Sequence, residues 1–312
     1  MDVTFAIFAF FIFPGFLFTV IAGLVSTWID RKVTARVQWR VGPPLLQPFY
    51  DVFKLVGKDT MLPSTGSRVL FIIAPLLGLI SVSIVSAMLW LANTASISFI
   101  GDVIVVIYLL VVPSLMIILG GLSSGNPLAT AGASREMKLL LSYELPLLIC
   151  LAVAILKSGV SIMVVDIAQT PVALSVSGAL ALLVSLLCVH AKLGFTPFDV
   201  AEAETEIMEG PYIEYSGPLL ALYKLTQAML LITLPVYLAT IFLGGLTFSG
   251  IGILWSIVKL VLILVVIIVI KNTNPRIRID QALRFFWRTM MPIAVIAFIL
   301  AAVGQFYRIP WL

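Results

Sequence analysis

Long, uninterrupted apolar runs recur along this 312-residue chain and leave it few ways to fold. Each is about long enough to cross a hydrocarbon layer of roughly 30 Å as a helix. A helix also satisfies its own backbone polar groups there, which an open strand cannot do. Hydrophobic residues make up 61% of the chain and charged ones 11%. A soluble domain carries about a quarter charged residues, so a water-soluble core could not hide this much apolar surface. The sequence predicts an all-α integral membrane protein with one membrane domain, residues 1–312.

Eight spans are expected, at about 3–27, 69–92, 102–120, 139–157, 172–193, 216–243, 251–270 and 289–306. The first has Asp2 as its only early charge and a long apolar run. That differs from the basic start and short core of a cleaved signal, so it is read as a retained helix. Eight spans put both termini on one side. The loops between spans 1–2, 3–4, 5–6 and 7–8 hold nearly all the basic residues, whereas the other side holds Lys157 and Arg308. By the positive-inside rule the four charged loops are cytoplasmic and both termini face out.

The first of these loops, residues 30–68, is long, basic and broken by Pro43, Pro44, Pro48 and Pro63. Within it Phe49, Val52, Phe53 and Val56 recur at helical spacing, predicting a short amphipathic helix along the membrane face. Residues 121–138, rich in Gly, Ser and Ala, read as a loop. In the last loop Arg276, Arg278 and Arg284 are expected to pair with acids of a partner or of loop 5–6.

Loop 5–6 is the most acidic stretch. GFTPFDVAEAETEIMEGPYIEYSGP packs Asp199, Glu202, Glu204, Glu206, Glu209 and Glu214 between two apolar spans. A solvated loop would account for them. An ion-translocating entrance is the sharper reading. Thr196, Pro197 and Asp199 suggest a capped helix start, and such a helix would place Glu202, Glu206 and Glu209 on one face. Carboxylates crowded in this way titrate as a coupled group. Glu144 lies inside the fourth span with Leu140 and Leu148 one turn away, so its own helix offers no neutralising partner. An intramembrane carboxylate is a functional candidate, and Lys224 in the sixth span is its expected relay partner. Lys259 is either functional or a snorkelling lysine. His190 reads as a satisfied polar group, and Asp102 and Asp166 as outer caps.

The two cysteines, Cys150 and Cys188, lie in apolar runs, and the single histidine has no partner at metal-ligand spacing. No nucleotide-binding or hydrolase motif is present. The chain is expected to hold no cofactor or metal and to break no bonds by itself.

Four segments carry a family resemblance: DRKVTARVQWRVGPPLLQP, SREMKLLLSYELP, the acidic stretch, and NPRIRIDQALRFFWRTMMP. In that order they resemble the respiratory complex I subunit that forms the quinone chamber at the foot of the peripheral arm. The contracted GPPLLQP resembles the branch found in energy-converting, membrane-bound nickel–iron hydrogenases, which need no quinone. A sister branch works on sulfane sulfur or polysulfide.

The resemblance implies a non-catalytic anchor and coupling subunit. It would hold a nickel–iron-type large subunit and an iron–sulfur small subunit, whose cofactors stay with those partners, and join them to antiporter-like and small membrane subunits. By motif position Glu144, Glu202, Glu204, Glu206 and Glu209 would form the acidic route. Arg36 and Arg40, with Arg31 beside them, would face the docked redox subunits. A quinone-binding subunit of complex I is the alternative, and an apolar chamber between the first and sixth spans would favour it. A stand-alone ion transporter is a third class, against which the absence of an internal repeat counts.

Overall fold

In the computed structural model, residues 3–64, 66–307, 309 and 311 are described. Asp2, Arg308 and the Glu204 side chain, all named above, lie outside the described residues. The helices, in order, are α1 (Val3–Phe11), α2 (Phe16–Val37), α3 (Gln47–Val56), α4 (Arg68–Thr94), α5 (Asp102–Ser123), α6 (Pro127–Lys157), α7 (Val164–Ala168), α8 (Val176–Lys192), α9 (Glu204–Ile207), α10 (Gly217–Phe242), α11 (Gly252–Thr273), α12 (Ile279–Phe285) and α13 (Met291–Phe306). No strand occurs among the described residues. Seven stretches are long and apolar enough to span a membrane, counting Ile7–Val37 and Ile279–Phe306 as one each, and α8 is a shorter apolar helix. Together they match the eight expected spans.

Several boundaries move, for local reasons. The first span breaks at Pro14–Gly15, and α2 then continues to Val37, carrying Arg31 and Arg36 on helix rather than loop. The Gly/Ser/Ala-rich segment is a loop only at residues 124–126 and is otherwise helical. Asn126 caps α6 by accepting from the Leu128 amide at 2.9 Å, with Pro127 at the first helical position. Its small residues serve close packing. A Cβ on Gly132 would sit 2.7 Å from Pro211 Cδ and 3.0 Å from the Ala201 carbonyl oxygen, both in loop 5–6. The last loop is largely helical too, passing from α12 through a π-helical turn at Phe286–Met290 into α13.

Loop 5–6 departs furthest from expectation. Residues 193–203 are not helical, and the loop holds just the short helix Glu204–Ile207 and a 3-10 turn at Gly210–Tyr212. The expected cap at Thr196 does not form because tertiary partners take the carbonyls a helix would use. Thr196 O accepts from His190 Nε2 at 2.7 Å, and Pro197 O accepts from the Ile277 amide at 3.2 Å. Phe198 anchors the loop in an aromatic cluster with Phe285 and Phe286, the latter in the π turn.

The four charged loops gather at one end. Arg276 pairs with Asp199, Arg135 with Glu206 at 2.6 Å, Lys271 with Asp30 at 2.7 Å, and Arg31 with Asp51 at 2.6 Å. At the opposite end Asp102 is buried and accepts from the Val164 amide at the start of α7, at 2.8 Å. Asp102 thus caps the first amide of α7 from a distant helix, whereas Asp166, among the described residues, accepts only from the Ser161 hydroxyl. Lys259 donates to the carbonyls of Leu243 and Gly245 at 2.7 and 3.0 Å, closing the end of α10. The α3 stripe is split: Phe49 and Val52 turn toward the bundle, while Phe53 and Val56 are exposed beside Tyr50.

Candidate functional site

A line of ionisable side chains runs from loop 5–6 into the bundle. Its deepest member is an ion pair across α6 and α8: Lys192 Nζ donates to Glu144 Oε2 at 3.0 Å and to the Leu110 carbonyl at 3.2 Å. The lysine side chain is 1% exposed and the glutamate side chain 16%. Lys192 therefore fills the place expected of Lys224. Lys224 is exposed and lies 5.6 Å from the centroid of the Tyr212 ring. Lys192 sits at the C-terminal end of α8, where sequence alone reads as an interfacial cation. Only the packing of α8 against α6, with the Leu110 carbonyl of α5 within reach, turns it inward.

Glu136 is the second member that the sequence reading missed. It is buried in α6 and lines a small cavity of about 30 Å³ with Ser114, Lys192, Glu202, Tyr212 and Gln227. Such a space has room for a water molecule or two. The available signal was the Asn126–Pro127 helix start, because a helix from there carries Glu136 inward about two turns before Glu144. Glu202 enters the same cavity from loop 5–6, its Oε1 accepting from Gln227 Nε2 at 3.0 Å. Burial pushes the Glu202 carboxyl above the usual glutamate range, while Lys224 and the Gln227 hydrogen bond pull it down, and Asp199 and Glu209 push it up again. Glu202 thus holds its proton at pH values where a surface glutamate has lost it.

The remaining acids of the loop separate instead of sharing a face. Asp199 is bound by Arg276 in a two-pronged pair, with Nε to Oδ1 at 2.8 Å. Glu206 is exposed and pairs with Arg135. Glu209 is exposed. Glu214 accepts from Asn126 Nδ2 at 2.7 Å and so orients the cap of α6. Among the expected pairings from the last loop, Arg276 meets an acid of loop 5–6. Arg278 and Arg284 are exposed and have no ion-pair partner among the described residues. His190 is buried with one ring nitrogen satisfied by Thr196; its Nδ1 has no hydrogen-bond partner among the described residues.

Beside this line an open cleft of about 440 Å³ lies between α2, α3, α10 and α11. Leu24, Val52, Leu55 and Leu231 supply apolar walls, and Asp30, Arg31, Asp51, Lys224 and Lys271 supply charge. The Arg31 guanidinium bonded to Asp51 holds that carboxyl below its ordinary range. Lys271 lies 4.2 Å from the Phe195 ring centroid, so the Asp30–Lys271 pair is braced by an aromatic face.

A family model described as NADH dehydrogenase matches residues 9–302. The chain belongs to this family. It is 32% identical to the H subunit of the NADH-quinone oxidoreductase of Thermomicrobium roseum, over 90% of this chain and 91% of that protein. Against the corresponding protein of Geobacillus kaustophilus the figures are 31%, 94% and 93%. Among solved structures it resembles a chain of the membrane-bound sulfane sulfur reductase, an archaeal respiratory membrane complex. There the TM-score is 0.85 and the identity 26%, covering 96% of this chain and all of that one. This family member is a multi-pass membrane protein, with its ionisable line and its cleft opening at the end where the charged loops gather.

Proposed function

We propose that this member of the NADH dehydrogenase family is the anchor and coupling subunit of a membrane-bound, hydrogenase-like respiratory complex. The observation that carries this reading is the line of Glu202, buried Glu136 and Lys192, and Glu144, which connects a loop at the charged end to a carboxylate inside the bundle. Charge changes in a docked redox module would alter the protonation of Glu202, and Glu144 would pass that change toward proton or sodium-ion translocation. The nickel–iron centre and iron–sulfur clusters would belong to the large and small subunits docked on the cytoplasmic face. Antiporter-like membrane subunits would complete the ion path. The chain would sit in the cell membrane with both termini outside.

The docking surface has a defined tip. Trp39 is 98% exposed and Val41 94%, and exposed Arg36 and Arg40 flank the tryptophan. Trp39 holds a left-handed backbone, φ +58°, braced by Arg40 N bonding to the Ala35 carbonyl at 2.7 Å. A rigid, exposed aromatic between arginines is the composition of an interface hot spot. Trp39→Ala is expected to weaken retention of the redox subunits by about 2 kcal/mol or more, at low and high salt alike. Arg36→Ala and Arg40→Ala should do so mainly at low salt, where exposed charges act. Full retention of the redox subunits by all three variants at low salt, and by Trp39→Ala through a high-salt wash, removes the docking role.

The cleft between the first and sixth spans favours a second reading, a quinone-binding subunit of a complex I. Its five charged lining residues and the contracted GPPLLQP loop favour the first. Mass spectrometry of the intact complex, with quinone assayed in the extracted lipid, separates them. A nickel–iron-type large subunit without stoichiometric quinone is expected. A flavin-bearing input module with retained quinone would establish the second reading.

A further inference from the structure

The open cleft and the small acid cavity meet at one polar side chain. Of the described residues lining each, Leu193 and Gln227 are common to both. Leu193 is a buried apolar side chain at the end of α8. Gln227, on α10, makes its bonds on the acid side. Its Nε2 donates to Glu202 Oε1 at 3.0 Å and to the Tyr212 hydroxyl at 3.4 Å. Lys224, nearly one turn earlier on the same helix, lines the cleft and faces the Tyr212 ring from there. Both N–H groups of one unbranched, rotatable carboxamide are thus spent on the two groups that line the inner cavity.

We propose that the Gln227 side chain is the gate between the cleft and the acid cavity. Closed, it holds Glu202 and the Tyr212 hydroxyl and stands between the Glu202 carboxyl and the cleft. Swung toward the cleft, it releases both bonds and opens Glu202, and Glu136 behind it, to whatever occupies the cleft. Gln227 carries no proton itself. It is a positioning residue that decides when the buried acids exchange protons with the cleft. This rests on the coupling reading above and names the point at which the cleft joins the ion route.

Carbodiimide labelling tests it, because these reagents attack protonated carboxyl groups. The intact complex is treated with a membrane-permeant carbodiimide, and modification at Glu202 and Glu136 is read by peptide mass spectrometry. Gln227→Ala is expected to raise labelling at both sites several-fold. Gln227→Asn, too short to span both partners, should do the same, and it serves if the alanine variant fails to assemble. Gln227→Leu keeps a side chain of similar size between the cavities but loses the bond that holds the Glu202 carboxyl down, so Glu202 labelling should rise while labelling at Glu136, which Gln227 does not touch, stays near wild type. Asp51, held ionised by Arg31 in the cleft, is the internal control and should stay unlabelled. Equal labelling in wild type and in the shortened variants overturns the gate. A second readout is ions moved per electron in proteoliposomes, which a purely structural wall would not affect. It should fall in Gln227→Ala while electron transfer continues, and an unchanged ratio overturns the role in coupling. If Glu144→Gln keeps full stoichiometry while Gln227→Ala still opens the cavity, the coupling reading fails and the separation of the cavities stands.

Discussion

Replacing Glu144 with Gln is expected to abolish ion movement per electron while leaving the complex assembled. The side chain keeps its size but loses the charge that neutralises Lys192. That ammonium, 1% exposed, would keep the neutral amide oxygen, the Leu110 carbonyl and the face of Tyr143 at 5.6 Å, with Glu136 as the other acid in its cavity. Stranding one partner of a buried pair costs about 3–5 kcal/mol, whereas replacing both by apolar groups is often neutral. Glu144→Gln and Lys192→Met should therefore each lower the thermal midpoint of the purified complex. The double variant Glu144→Leu with Lys192→Met should recover most of that loss. Coupling should not recover with it, since neither apolar group can carry a proton. A stable double variant with normal ion stoichiometry would falsify the relay, and additive losses of stability would show that the two residues do not interact.

A side chain at Gly210 is expected to dismantle the acid cavity. Gly210 has φ +54°, in the left-handed region that L residues enter at a cost of about 1–3 kcal/mol. A Cβ there would also overlap the Ala201 carbonyl oxygen, so the backbone on either side of the short helix α9 must part. Ala201 precedes Glu202, and Pro211 and Tyr212 follow Gly210, so four residues around the cavity move together. Gly210→Ala should lower the thermal midpoint and expose Glu202 to solvent. Its carboxyl, pushed up by burial, should then titrate at lower pH, as read from the loss of carbodiimide labelling with rising pH. A wild-type labelling profile in this variant would mean that the loop does not depend on the Gly210 turn.

Much of the architecture was legible in the sequence because the bilayer imposes it. Apolar run length sets the number of spans, so seven long helices and the shorter α8 were foreseeable. The amphipathic α3 announced itself by spacing, and Arg276 found its acid in loop 5–6 as opposite charge at one membrane surface suggests. Motif order across residues 30–292 also pointed to the family that the comparison with known proteins shows.

What the sequence left undetermined was which polar side chains face one another. Residues 121–138 read as a loop because Gly and Ser are poor helix formers and the segment lacks a long apolar run. Those same small residues let Pro211 and Ala201 lie against α6, which pulls Glu136 inside. The acidic stretch looked helical by its cap and its spacing. Instead His190 and the Ile277 amide claim the Thr196 and Pro197 carbonyls, and the acids diverge to separate partners. Lys192 read as interfacial by its place at a helix end, yet it is the buried partner of Glu144. Periodicity along one helix reports which face is apolar. It carries no information about which neighbouring helix supplies the opposite charge, and only the packing of α5, α6, α8 and α10 around loop 5–6 decided that.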